Sequence, residues 1–118
     1  MNKYRAEELK LLNIQIGCVL KLARLKKGIS QEFLGLSIDS DKTKIARLEK
    51  NAHASNWDTI YSVSQELEID FCTLFILKSN NEILTIVDEC IELDKKLSKM
   101  KIAYYEKLKN TISNIKIY

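Results

Sequence analysis

Apolar positions set a helical rhythm along most of this chain. From Leu11 to Lys26, the residues Leu12, Ile16, Val19, Leu20 and Ala23 recur at steps of three and four, the stripe of an amphipathic helix. Lys26 and Lys27 suit the negative end of that helix, and Gly28 supplies the left-handed residue that commonly stops one. Ser30 can cap a short second helix, with Glu32 near its positive end and Leu34 and Ile38 turned inward; it must end near Asp39. Asp41 can cap a third, burying Ile45 and Leu48 and leaving Lys42, Thr43, Lys44 and Arg47 outside. Residues 51–55 read as a loop. A fourth helix runs from Ser55 or Asn56 to about Leu67, with Trp57, Ile60, Val63 and Leu67 at buried spacing, and a fifth, capped by Asp70, carries Phe71, Leu74, Phe75 and Leu77.

The last third of the chain has a different pattern. Ser79 and Glu82 have the spacing of a capping box, and Ile83, Ile86, Cys90, Leu93, Leu97, Met100 and Tyr104 then fall on alternating three- and four-residue steps. Beyond Tyr104 the stripe drifts to Leu108, Ile112 and Ile115, and no glycine or proline interrupts residues 79–118. This predicts one long helix whose stripe must fold back on its own domain or pair with a second copy. Pairing through Ile83 to Tyr104 is the expectation, as a coiled coil or a short helical bundle.

Composition agrees with an all-α chain of two regions: a five-helix domain over residues 1–78 and a helical dimerisation segment over 79–118. At 118 residues, one core plus an appendage is the ceiling. Proline is absent and glycine occurs three times, too few punctuating residues for the many turns of an all-β fold. No run of apolar residues is long enough to span a bilayer and residues 1–10 lack a signal peptide's apolar region, which leads us to expect a cytoplasmic protein without membrane partners. Those ten residues carry Lys3, Arg5 and Lys10, as an extension of the first helix or as a basic arm.

Candidate chemistry is sparse. Cys18, Cys72 and Cys90 form no CxxC pair and read as reduced thiols rather than metal ligands or a disulfide framework. His53 is the single histidine, and no glycine-rich phosphate loop or nucleophile–base set is present, so neither an enzyme nor a bound metal or cofactor is expected. The net charge of +3 is unevenly spread. Residues 11–55 carry eight basic and four acidic groups, residues 56–78 one and four. An excess of that kind fits a polyanionic partner.

Ser30-Gln31-Glu32-Phe33-Leu34-Gly35, Ile38, Lys42 to Asn51, Thr59-Ile60 and Leu67-Glu68-Ile69 together resemble the helix-turn-helix of the phage-repressor and Cro-like (XRE) family, without a gap over residues 13–76. The most specific part is the SQ-E-x-L start of the second helix joined to the I-x-R-L-E end of the third. Gly35 stands where the family usually has alanine, and Asp39 where its turn usually has a left-handed glycine. The resemblance implies that Arg24 and Glu49 form a partly buried ion pair. It also implies that the third helix enters the major groove, with Lys42, Thr43, Lys44 and Arg47 reading bases, and that Gln31, Lys50, Asn51 and His53 bind phosphates. The function so implied is a sequence-specific transcriptional regulator of double-stranded DNA, acting as a homodimeric repressor. The alternatives are an antitoxin- or immunity-type regulator whose C-terminal helix binds a partner protein, and an adaptor that no longer binds DNA.

Overall fold

A computed structural model describes residues 3–116, with side chains from residue 5. Six helices carry the fold: α1 Lys3–Lys26, α2 Gln31–Ser37, α3 Lys42–Lys50, α4 Trp57–Glu66, α5 Asn80–Leu93 and α6 Lys99–Asn114. Single 3₁₀ turns lie at Ala52–Ala54 and Cys72–Phe75, and no strand occurs among the described residues. The chain is all-helical. None of its described helices is long and apolar enough to cross a membrane. Residues 3–10 extend α1, with Arg5 and Lys10 exposed on it; the side chain of Lys3 lies outside the described residues.

The organising element is α1, which buries two faces. Ile16 and Leu20, flanked by Leu12, Val19 and Ala23, join Leu34, Ile45, Leu48, Ile60, Val63, Leu67 and Leu74 in one core. Leu11, Cys18 and Leu22, flanked by Ile14 and Leu25, join Ile83, Val87, Cys90, Tyr105, Ile112 and Ile115 in a second. At 100° per residue these two sets stand on nearly opposite sides of α1. The first core holds α2, α3 and α4, and the second holds α5 and α6. The chain passes from one core to the other between Leu74, buried in the first, and Leu77, packed against the second, and both cores share the first helix.

Three expectations are corrected. First, residues 79–118 do not form one long helix. The chain leaves the helix at Asp94, and Ser98, whose Oγ accepts from Lys101 N at 3.2 Å, caps α6. The two halves lie back to back: Asn80 Nδ2 donates to the carbonyls of Ile112 and Ile115 at 3.0 and 2.6 Å, tying the start of α5 to the end of α6. Tyr105 Oη donates to Asp94 Oδ2 at 2.9 Å across the connection. In consequence Ile83 and Cys90 are buried against α1 of their own chain and Ile86 and Tyr104 are half-buried. Of the expected dimer seam, Leu93, Leu97 and Met100 remain exposed.

Second, the fifth helix expected after Asp70 is the short 3₁₀ turn, begun by an Asp70 Oδ1 that accepts from Cys72 N at 2.9 Å. Four residues close one turn; the chain is then drawn onto α1 by Gln15. That fully buried amide donates to the carbonyls of Leu74 and Ile76 at 2.9 and 2.8 Å and accepts from Lys78 N at 2.7 Å. Both amide hydrogens and one of the two lone pairs on its oxygen are used. Third, Trp57 and Phe75 are exposed, not core residues, whereas Ile60, Val63, Leu67 and Leu74 are buried as their spacing predicts.

Candidate nucleic-acid interface

The surface of α2 and α3 is built by caps at both N-termini. Ser30 Oγ accepts from Phe33 N at 3.0 Å, and Asp41 Oδ1 accepts from Lys44 N at 2.9 Å. Between them the chain turns at Asp39, whose φ of 55° is left-handed, a conformation that aspartate tolerates better than most residues. Gly35 is buried at that turn, where the two helices meet.

On α3, Ile45, Leu48 and Glu49 face inward and Lys42, Thr43, Lys44 and Arg47 are all exposed. Behind the helix, beside the buried Ile45 and Leu48, lies a polar node. Glu49 accepts from Arg24 Nε at 2.6 Å, Arg24 Nη2 at 3.2 Å and Gln31 Nε2 at 2.9 Å. Arg24 Nη1 also donates to the Ile29 carbonyl at 2.9 Å. Arg24 and Glu49 are 7 % and 6 % exposed, so α1, α2 and α3 meet in one charge-assisted cluster out of water. A helix held at three points on its inner side presents its outer side in one orientation.

The residues expected on phosphates surround this face but are partly engaged. Gln31 uses one amide hydrogen on Glu49. Asn51 Oδ1 accepts from Asn13 Nδ2 at 3.0 Å, and Asn13 Oδ1 accepts from the backbone N–H of His53. This pins the loop after α3 to α1 and leaves the exposed His53 ring uncommitted among the described residues. Lys50 Nζ lies 5.6 Å from the centroid of the Tyr104 ring, turned toward α6. Sequence reasoning missed the roles of Asn13 and Gln15. Their signal was present: both are polar interruptions of an otherwise apolar stretch of α1.

Behind the end of α3, α6 closes over α1. Lys21 Nζ stands 4.5 Å from the Tyr105 ring and 5.6 Å from the Tyr104 ring, beside Cys18, Cys90 and Glu49. Burial lowers the Lys21 ammonium below its ordinary range, against the attraction of Glu49. Burial also pushes the thiols up, Cys18 to about 12 and Cys90 to about 11, so both stay protonated and unreactive at neutral pH. Cys72 is exposed. Titration of the folded protein with a thiol reagent should therefore show one fast-reacting cysteine, Cys72, and two released only on unfolding; fast reaction of Cys18 or Cys90 in native buffer would contradict this burial. Among the described residues no group of three or more His, Cys, Asp or Glu side chains is arranged to hold a metal ion.

No family model, curated protein or solved structure matches the chain.

Proposed function

We propose that this chain is a cytoplasmic, sequence-specific DNA-binding regulator, a repressor, that reads the major groove with α3, as the likeness of its motif to the phage-repressor and Cro-like family implies. The observation that carries the proposal is the outer face of α3. Lys42, Thr43, Lys44 and Arg47 stand exposed together on a nine-residue helix whose inner face holds Ile45, Leu48 and the Arg24–Glu49–Gln31 node. Lysine and arginine donate to guanine O6 and N7, and the Thr43 methyl suits a thymine methyl. Asp41, the carboxylate at the start of α3, is occupied as the N-cap, and Asp39 stands exposed in the turn before it. Binding, not catalysis, is the role this surface suits.

One such module contacts only a few base pairs, so affinity and specificity call for two copies on the DNA. The proposal keeps the second copy but not the seam first expected for it, because Ile83 and Cys90 are buried within the chain.

The test is selection of duplexes from a random library, followed by titration of selected and scrambled DNA over a salt series, comparing the wild type with Lys42→Ala/Lys44→Ala. A preference of about 10³-fold or more for the selected duplex, lost in the variant, is the expected result. Equal weak binding to both duplexes that the double substitution leaves unchanged would overturn the assignment of α3.

A further inference from the structure

Two exposed faces of opposite charge are left uncovered by the fold. The first surrounds Trp57, which is 73 % exposed. Tyr61 lies one turn along α4 from it; the Tyr61 ring meets Phe71 edge-on at 5.4 Å, and Phe71 meets Phe75 at 5.1 Å. Trp57, Tyr61 and Phe75 are exposed, and only Phe71 is half-buried against the first core. The neighbouring charges are acidic, Asp58 and Asp70, both exposed. No lysine or arginine occurs anywhere from Asn51 to Leu77.

The second face is the tip of the α5–α6 hairpin. Lys95, Lys96, Leu97, Lys99 and Met100 are all exposed within six consecutive residues, and Met100 at 83 % is the most exposed large apolar side chain among those described. Residues 95–116 hold seven lysines and one glutamate. Among the described residues only Lys101 and Lys109 of these lysines have ion-pair partners, Asp94 and Asp88. The three lysines at the tip have no ion-pair partner among the described residues, and the acidic groups at the adjoining end of α5 are Glu92, which is exposed, and Asp94, which is held by Lys101.

We propose that these two faces are complementary, and that the aromatic face of one copy receives the lysine-rich tip of a second copy, head to tail. Charge selects this arrangement over a symmetric one. Two aromatic faces apposed about a two-fold axis would bring Asp58 and Asp70 against their own equivalents with no cation between them, and two tips would oppose lysine to lysine. Like charges at a contact reject a partner as firmly as opposite charges recruit one. Tip against aromatic face satisfies both surfaces: lysine ammonium groups lie over the Trp57 and Tyr61 rings and beside the two aspartates, and the Met100 thioether meets ring edges. The faces belong to different cores on opposite sides of α1, so each copy offers one of each. Such a contact is heterologous and leaves a free face at either end, so the assembly grows with concentration instead of stopping at two. On DNA, and only if the reading above holds, copies joined this way favour direct over inverted repeats.

The test needs no DNA. Sedimentation equilibrium of the wild type should show a mass that rises with concentration, and an association constant that weakens about tenfold or more between low and high salt, because lysine–aspartate attraction is screened. Two variants each remove one face: Trp57→Ala, and Lys95→Glu/Lys96→Glu/Lys99→Glu. All four positions are exposed, and helical circular dichroism with an unchanged unfolding midpoint confirms folding; Tyr61→Ala serves as a second variant of the aromatic face. Each variant alone should be monomeric. An equimolar mixture should form a complex of one copy of each and nothing larger, since one partner keeps its tip and the other its aromatic face. A monomeric wild type at all concentrations overturns the proposal. So does association that survives the lysine substitutions, or a mixture that fails to associate when the wild type does, which would mean a symmetric contact.

Discussion

Replacing Arg24 with methionine should lower the stability of the protein by about 3–5 kcal/mol, measured by urea unfolding, because it strands a buried carboxylate. Glu49 is 6 % exposed and receives two hydrogen bonds from Arg24 and one from Gln31. Without the guanidinium it keeps the Gln31 amide alone, too little to offset the loss of water. Arg24→Lys should recover part of the loss and no more, since an ammonium cannot span both carboxylate oxygens and the Ile29 carbonyl in the planar fork that arginine uses here.

The double variant Arg24→Met/Glu49→Leu separates two roles of the pair. Removing both charges together ends the desolvation penalty, so its cost should fall well below the sum of the single substitutions. Stability is then largely restored, while the link that holds α3 against α1 and α2 is gone. If that link orients the outer face of α3, the double variant should bind DNA with reduced sequence preference at near-normal stability. Full preference at full stability would show that Ile45 and Leu48 alone set the rotation of the helix.

The parts of the fold legible in the sequence were those in which local chemistry and packing point the same way. Ser30 and Asp41 start α2 and α3, Gly28 with φ of 69° ends the turn after α1, and Asp39 takes the left-handed residue between the two short helices. The C-terminal region was misread for a physical reason. A stripe at alternating three- and four-residue steps describes the seam of one long coiled coil, and equally the inner faces of two shorter helices folded against the same neighbour. What decides between them lies elsewhere in the chain. Leu11, Cys18, Leu22 and Leu25 put a second apolar stripe on α1, opposite the one formed by Ile16 and Leu20, and a helix apolar on two sides needs two partners. Asp94 and Ser98, both capping residues, mark where the stripe breaks to supply the second. Trp57 follows a related rule. Its spacing matches Ile60, Val63 and Leu67, but it opens α4, and helical side chains lean toward the N-terminus, so a first-turn side chain overhangs the end of the helix beyond the core.

Gly17→Ala should destabilise the protein by about 2 kcal/mol or more, although alanine is the better helix former by about 1 kcal/mol. The sign is decided by what a Cβ would meet. At Gly17 it would lie 2.5 Å from the Glu49 carbonyl oxygen, 3.0 Å from the Glu49 carbonyl carbon and 3.1 Å from the Leu48 carbonyl oxygen. All three atoms are backbone, so no flexible side chain can swing aside; α3 itself must move away from α1. That movement would stretch the Arg24–Glu49 contact and loosen Leu48 in the first core, adding to the steric cost. The same contest at Gly35, where a Cβ would stand 2.5 Å from the Asp41 carbonyl carbon, should again go against alanine and displace the N-cap of α3. The two substitutions push α3 from its two ends. Part of the Gly17→Ala cost should therefore act through the ion-pair node and be absent in the Arg24→Met/Glu49→Leu background, where the backbone clash remains, whereas the cost of Gly35→Ala should be unchanged there. Urea unfolding of the four combinations checks this, and a stabilising Gly17→Ala would mean that α1 and α3 do not approach this closely in solution.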